Sequence, residues 1–164
     1  MRFRSLVLTA IVAATAAFAL PGIASADAPT RESVRLVRDI ASFASCDGFH
    51  VNATFEIVRE VTTFTDATDT PVRRQVHATI NGVLTHSATG YSLPSTGIRN
   101  FQFDLIARTS FSTGTNTVVR LPSGGTIHLG TGRLQFDDTT GQLVSYSGPT
   151  DDSDYQALCD ALSS

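Results

Sequence analysis

The chain contains no lysine, and all 12 of its basic residues are arginine, a usage that reflects a GC-rich coding sequence more than a binding surface. It has two cysteines, Cys46 and Cys159, and beyond residue 20 it has no long hydrophobic run. Each shortage excludes something. Two isolated cysteines are too few for a structural zinc site, which takes four ligands. Without a later apolar stretch of about 20 residues, the body of the chain cannot supply a spanning helix. Without a basic excess there is no face to displace counterions from phosphates, so nucleic acid is an unsuitable partner. A G-x-S-x-G elbow and HxH or HExxH spacings are also missing, so neither a serine nucleophile nor a local zinc motif is written in the sequence.

What is present begins with Arg2 and Arg4, an apolar run over residues 6–20, a break at Pro21-Gly22 and a small-residue exit, Ala24-Ser25-Ala26. That order predicts a signal peptide over residues 1–26, cleaved after Ala26. The run is 15 residues long, short of the roughly 20 of a membrane anchor. Phe3 separates the two arginines, which argues against twin-arginine export, and no cysteine near the exit could carry a lipid. The expected product is secreted and extracellular, with no membrane span after cleavage. It has 138 residues (164 less 26), enough for one domain with a real core. Its 10 arginines against 15 acids give a net charge near −5, which favours solubility.

In an oxidising exterior a lone cysteine pair is most simply one disulfide, Cys46 to Cys159. The chain-entropy model assigns a loop of about 113 residues on the order of 4 to 5 kcal/mol.

From Phe49 onward the apolar period is two, the pattern of half-buried strands. Phe49, Val51, Ala53, Phe55 and Ile57 alternate with polar neighbours. The phase then slips across Val58, Arg59 and Glu60, as a bulge or bend would make it do. A polar turn over 65–71 leads to a strand containing Val76, Ala78 and Ile80. Asn81-Gly82 predicts a type I′ hairpin, with a return strand over 83–88. After a loop over 90–97, Phe101, Phe103 and Leu105 define another strand, and Gly114 predicts a further turn. Strands over 117–121, 126–136 and 143–146 follow, the middle one loosened by Gly130 and Gly132. At the end Tyr155, Leu158, Cys159 and Leu162 fall on one face of a short helix capped by Asp151 or Asp152. Residues 27–48 read as an N-terminal segment in which 31–45 fit a short helix or an edge strand equally, and 49–164 as a single β domain.

Seven or eight strands in chain order, with no helices between them, predict an all-β antiparallel meander. Closing it into a small up-and-down barrel removes its exposed edges, and a β-sandwich is the second choice.

Chemistry is sparse. His50, His77, His86 and His128 are scattered, and no metal or cofactor site is predicted from them. If Ile57 faces Ile80 and Val61 faces Val76, then Glu60 lies opposite His77, with Arg73 farther along that face. A carboxylate there could orient an imidazole for base work, but an exposed cross-strand charge pair accounts for the same residues. Asp137-Asp138 and Asp151-Asp152 sit where turns and helix starts favour acids. The glycines at Gly124-Gly125 and Gly130-x-Gly132 lie between strands, so they make no phosphate loop. Asn52-Ala53-Thr54 matches a glycosylation sequon by chance.

Cys46-Asp47-Gly48-Phe49, the glycine-bearing turns, the turn from Asp138 to Gly141, and Leu158-Cys159 in a closing helix together resemble a group of small secreted actinobacterial proteins without an assigned role. The resemblance implies a compact β-barrel with the Cys46–Cys159 bond, and carries no catalytic residues. The function expected is therefore a non-catalytic barrel that binds an apolar small molecule or an envelope component, with Phe55, Phe101, Phe103 and Phe136 as candidate lining. The alternatives are a cofactor-free cyclase- or isomerase-type barrel enzyme using Glu60, Arg73 and His77, and a structural or interaction module of the cell exterior.

Overall fold

The computed structural model describes residues 28–122, 124–149 and 152–163. The predicted leader, residues 1–26, lies outside the described residues, as do the two predicted helix-capping side chains, Asp151 and Asp152. Among the described residues seven strands follow in chain order: β1 (Thr30–Cys46), β2 (Phe49–Thr65), β3 (Pro71–His86), β4 (Ser92–Asp104), β5 (Thr109–Arg120), β6 (Thr126–Asp137) and β7 (Gln142–Ser147). A helix, α1 (Asp152–Ser163), closes the chain. Each strand pairs antiparallel with the next, giving one sheet in the order β1 to β7. The all-β meander and the closing helix expected from the sequence are both present. The pairing ends at β1 and β7, however, so the sheet is open and is not a hydrogen-bonded barrel. Its edges are badly matched for closure, with 6 residues in β7 against 17 in β1.

The sheet is nonetheless strongly curled. Helix α1 touches β1, β3 and β6, and in a flat sheet β1 and β6 would lie about 24 Å apart, roughly twice a helix diameter. The curl wraps the sheet around α1 and forms the core between them. Val51, Leu84, Val119 and Leu158 are wholly buried there, with Ala53, Leu93, Leu129 and Leu162 almost so. The Cys46–Cys159 disulfide forms, with Cα atoms 5.6 Å apart, and ties α1 to the end of β1.

Two mid-strand glycines allow the curl. A Cβ on Gly97 would lie 2.1 Å from the carbonyl oxygen of Asn116, where the β4–β5 register shifts, and one on Gly82 would lie 2.3 Å from the carbonyl oxygen of Thr54. Gly82 therefore does not make the predicted hairpin. Strand β3 runs through Asn81-Gly82 to His86, with Gly82 paired to Phe55 on one side and Ser95 on the other. The chain turns later, closed by His86 N–H donating to the carbonyl of Tyr91 and Gly90 N–H to that of His86. Likewise β5 passes through Gly114 without turning, and β4 begins at Ser92, inside the expected 90–97 loop. The ambiguous 31–45 segment is an edge strand, part of β1 (Thr30–Cys46) in the same sheet as the rest.

The two ends of the sheet are built differently. At one lie the turns at 47–48 and 87–91, the ends of β5 and β6 that face each other, and the disulfide. At the other, an aspartate at or just past the end of a strand accepts hydrogen bonds from the turn. Asp66 takes the amides of Thr68 and Thr70 at 2.8 and 3.1 Å, Asp104 those of Ile106 and Ala107 at 3.0 and 2.8 Å, and Asp137 those of Thr139 and Thr140 at 2.8 and 3.2 Å. These bonds to ionised oxygens hold the carboxyls of Asp66 and Asp137 below their ordinary range, with the Thr68 hydroxyl the largest influence on Asp66 and the Thr139 amide the largest on Asp137.

Candidate functional site

Alternate residues of every strand point to the concave face, and α1 covers only the half of it nearest the disulfide. On β2 the inward set runs unbroken through Val51, Ala53, Phe55, Ile57, Arg59 and Val61, each paired across to the inward set of β3. The phase slip expected at Val58 does not occur. Val58 simply faces outward and Arg59 inward, paired with buried Ala78, which in turn pairs with Arg99.

Beyond the helix-covered half the concave face is a trough that mixes apolar and cationic groups. Phe101 and Phe103 stand on β4, ring centroids 6.3 Å apart, and are half-buried where the helix-covered residues are sealed. Phe136 lies two strands away on β6, across Ser110. The structure thus brings Phe101, Phe103 and Phe136 onto one half of the face but leaves Phe55 in the core, where its ring packs edge-on to Phe43 at 5.7 Å.

Three arginines share the trough: Arg59 from β2, Arg74 from β3 and Arg99 from β4. Arg99 is 5% exposed. It reaches across β5, donating to the carbonyl of Gly130 at 2.6 Å and the hydroxyl of Ser112 at 2.9 Å. Burial pushes its guanidinium below the ordinary value, with the nearby Tyr146 acting in the other direction, and it stays cationic at any physiological pH. It borders a shallow, solvent-open pocket of about 360 Å³ together with Asn116, Gly130, Leu134 and Tyr146. Among the described residues no carboxylate stands within ion-pair distance of Arg99, and the salt bridge that does form, Arg35 to Glu56 at 2.6 Å, is on the convex face. Arg59 adds a buried Nε with no hydrogen-bond partner among the described residues.

The inward positions of β2 to β6 carry no acid at all. The nearest are Glu32 on the edge strand, opposite Val61, and Asp138 at the aspartate end, which accepts from Ser110 Oγ at 2.5 Å. A buried cation without an anion is costly unless hydrogen bonds or a ligand compensate it. For Arg99 the carbonyl of Gly130 and the hydroxyl of Ser112 supply that compensation, and with no inward acid on β2 to β6 this half of the face carries a net positive charge beside half-buried phenyl rings.

The other candidate residues lie on the convex face. Glu60 pairs in register with His77, as the spacing predicts. But His77 Nδ1 is engaged by Asn100 Oδ1 at 2.7 Å, Glu60 makes no salt bridge with it, and Arg73 lies over the ring of Phe64 at 4.1 Å. A polar recess of about 260 Å³ beside Glu60, Gln75, His77 and Asn100 is open to solvent. Buried His86 stacks on Phe49 at 3.8 Å and accepts the amides of Ala88 and Thr89, a structural role in the β3–β4 turn. Among the described residues no three His, Cys, Asp or Glu side chains are grouped to hold a metal ion, and no helix is long and apolar enough to cross a membrane.

The arginines of the trough went unrecognised in the sequence, although a signal existed. Arg99, Phe101 and Phe103 are two residues apart, which puts them on one face of any strand. No family model, curated protein or solved structure matches the chain, so this geometry is the basis for a functional reading.

Proposed function

We propose that the chain is a non-catalytic binding protein that holds an amphipathic ligand, an apolar body with an anionic head, in the uncovered half of its concave face. The open trough takes the place of the lumen that a closed barrel would offer. The observation that carries this reading is the placement of Arg59, Arg74 and Arg99 beside Phe101, Phe103 and Phe136 on a face whose central strands hold no carboxylate. The rings supply contact for an acyl or other apolar body. The guanidinium groups favour a carboxylate, sulfate or phosphate head, for which they form charge-assisted bonds. An envelope lipid or a free fatty acid has that chemistry. The Cys46–Cys159 bond supports a place outside the reducing cytosol, the compartment that an N-terminal leader would reach. The cyclase-type alternative finds less support, because His77 is engaged by Asn100, Glu60 makes no ion pair with it, and Arg73 lies over Phe64 instead of joining them.

The test is calorimetric titration with three ligands of equal chain length, dodecanoate, dodecanol and dodecylamine. Dodecanoate binds best, and Arg74→Glu, on an exposed residue of the trough, weakens it several-fold while leaving dodecanol unchanged. Equal binding of all three, or no binding, overturns the proposal.

A further inference from the structure

Strand β1 is an open edge 17 residues long, with β2 on one side and, among the described residues, no strand on the other. Soluble proteins ordinarily block such an edge with prolines, bulges or short strands, because its free amides and carbonyls invite another strand. Here the edge is regular for most of its length. Residues 30–40 pair with β2 without interruption, and the register shifts only between Ile40 and Ala44, where Ser42 takes a φ of 57°.

The centre of that regular stretch is Arg35, and the charges are arranged around it. Arg31 and Glu32 lie on one side, Arg38 and Asp39 on the other. Turning a second copy of the strand half a revolution about Arg35 sets Arg31 opposite Asp39 and Glu32 opposite Arg38, and by symmetry each pair occurs twice. The pairs are also on matching faces, since Glu32 and Arg38 point to the concave side and Arg31 and Asp39 to the convex one. The same rotation brings Val34, 43% exposed, against Leu36 of the second copy. Arg35 would meet only its own symmetry mate, and its charge is already balanced by Glu56 at 2.6 Å. Asp39 is held at the edge by the hydroxyl of Thr54 at 2.8 Å. Sliding the pairing by one residue either way puts Glu32 against Asp39 or Arg31 against Arg38, so the charge order selects one register.

We propose that the occupant of the β1 edge is a second copy of this chain, joined by antiparallel β1–β1 pairing about Arg35 into a twofold dimer with one continuous sheet. The contact is isologous, so it closes at two copies and does not propagate through β1. Main-chain hydrogen bonds supply the attachment and the four charge pairs set its register. This inference does not depend on the ligand proposed for the trough.

Sedimentation velocity on the oxidised protein tests it. The wild type sediments as a dimer that dissociates as salt is raised. Glu32→Arg alone and Arg38→Glu alone each replace two attractive pairs with two repulsive ones, raising the dimer dissociation constant by about tenfold or more. Mixing the two variants restores dimers, because one then brings paired positive charges and the other paired negative ones. Arg31→Asp and Asp39→Arg form a second, independent set should either of the first lose its β circular-dichroism signal. A wild type that remains monomeric at the highest soluble concentration overturns the proposal. So does a dimer indifferent to the single reversals, or one that mixing fails to restore.

Discussion

Breaking the bond between Cys46 and Cys159, by reduction or by Cys159→Ala, should release α1 from the sheet before the sheet itself fails. The bond spans a sequence separation of 113 residues, for which the chain-entropy model gives about 5 kcal/mol of destabilisation when it is lost. The helix has little to hold it otherwise. It is 12 residues long, marginal alone in water, and ordering it costs roughly 1 to 2 kcal/mol of backbone entropy per residue. Against that stand mainly Leu158 and Leu162, each contributing about 1.5 to 3 kcal/mol on burial. The full loss should lower the midpoint of thermal unfolding by roughly 15 °C, judged from the usual dependence for a domain of this size. Circular dichroism with and without reductant measures that midpoint. Limited proteolysis below it should remove the last dozen or so residues first, while the β signal persists. An unchanged midpoint, or a reduced protein in which α1 is as protected as in the oxidised one, would refute the view that the cross-link holds the helix over the core.

Three other perturbations follow from named contacts. Leu158→Ala removes a wholly buried side chain from the helix-sheet core and should cost about 2 to 5 kcal/mol in urea unfolding, whereas Val144→Ala on exposed β7 should cost almost nothing. Gly97→Ala places a Cβ 2.1 Å from a backbone oxygen of β5, so it should destabilise the protein by an amount like that of a core cavity, with Ser95→Ala two residues away as the milder comparison. Asp66 and Asp137 have folded-state carboxyls that titrate below the ordinary value of 3.8. Their contribution to stability is therefore complete above that value and is lost as pH falls through the lower folded one. Asp66→Asn should flatten the acid arm of a urea-midpoint titration, and an unaltered arm would remove the aspartate turns from the account.

Much of the β pattern was legible because solvent and core impose a period of two on any strand with one covered face. The run through Val51, Ala53 and Phe55 shows it, as do the register of Ile57 with Ile80 and of Glu60 with His77, and the turn after Asp137. Where inference from pattern failed, a local rule met a tertiary need. Asn81-Gly82 has the chemistry of a hairpin turn, but the curled sheet uses Gly82 for its missing Cβ against Thr54 and Phe55. Asp47-Gly48, which does form a two-residue turn between β1 and β2, had the same chemistry and no competing use. Arg59 looked like a break in phase because alternation takes every inward position to be apolar, whereas this inward position holds an arginine next to buried Ala78. Strand β1 was ambiguous for another reason. Being an edge on a partly open face, it has little to bury and so little periodicity to display.

The sequence by itself determined the antiparallel meander, the closing helix and the cysteine pair, since strand period, short connections and a two-cysteine count are properties of the chain read locally. Only the tertiary structure decided that the sheet stays open, that α1 covers one half of its concave face, and that Arg59, Arg74 and Arg99 collect on the other half with Phe101, Phe103 and Phe136. Those outcomes depend on how far the sheet curls, to which the close backbone approaches at Gly82 and Gly97 between neighbouring strands contribute, and no local pattern encodes how closely two strands approach.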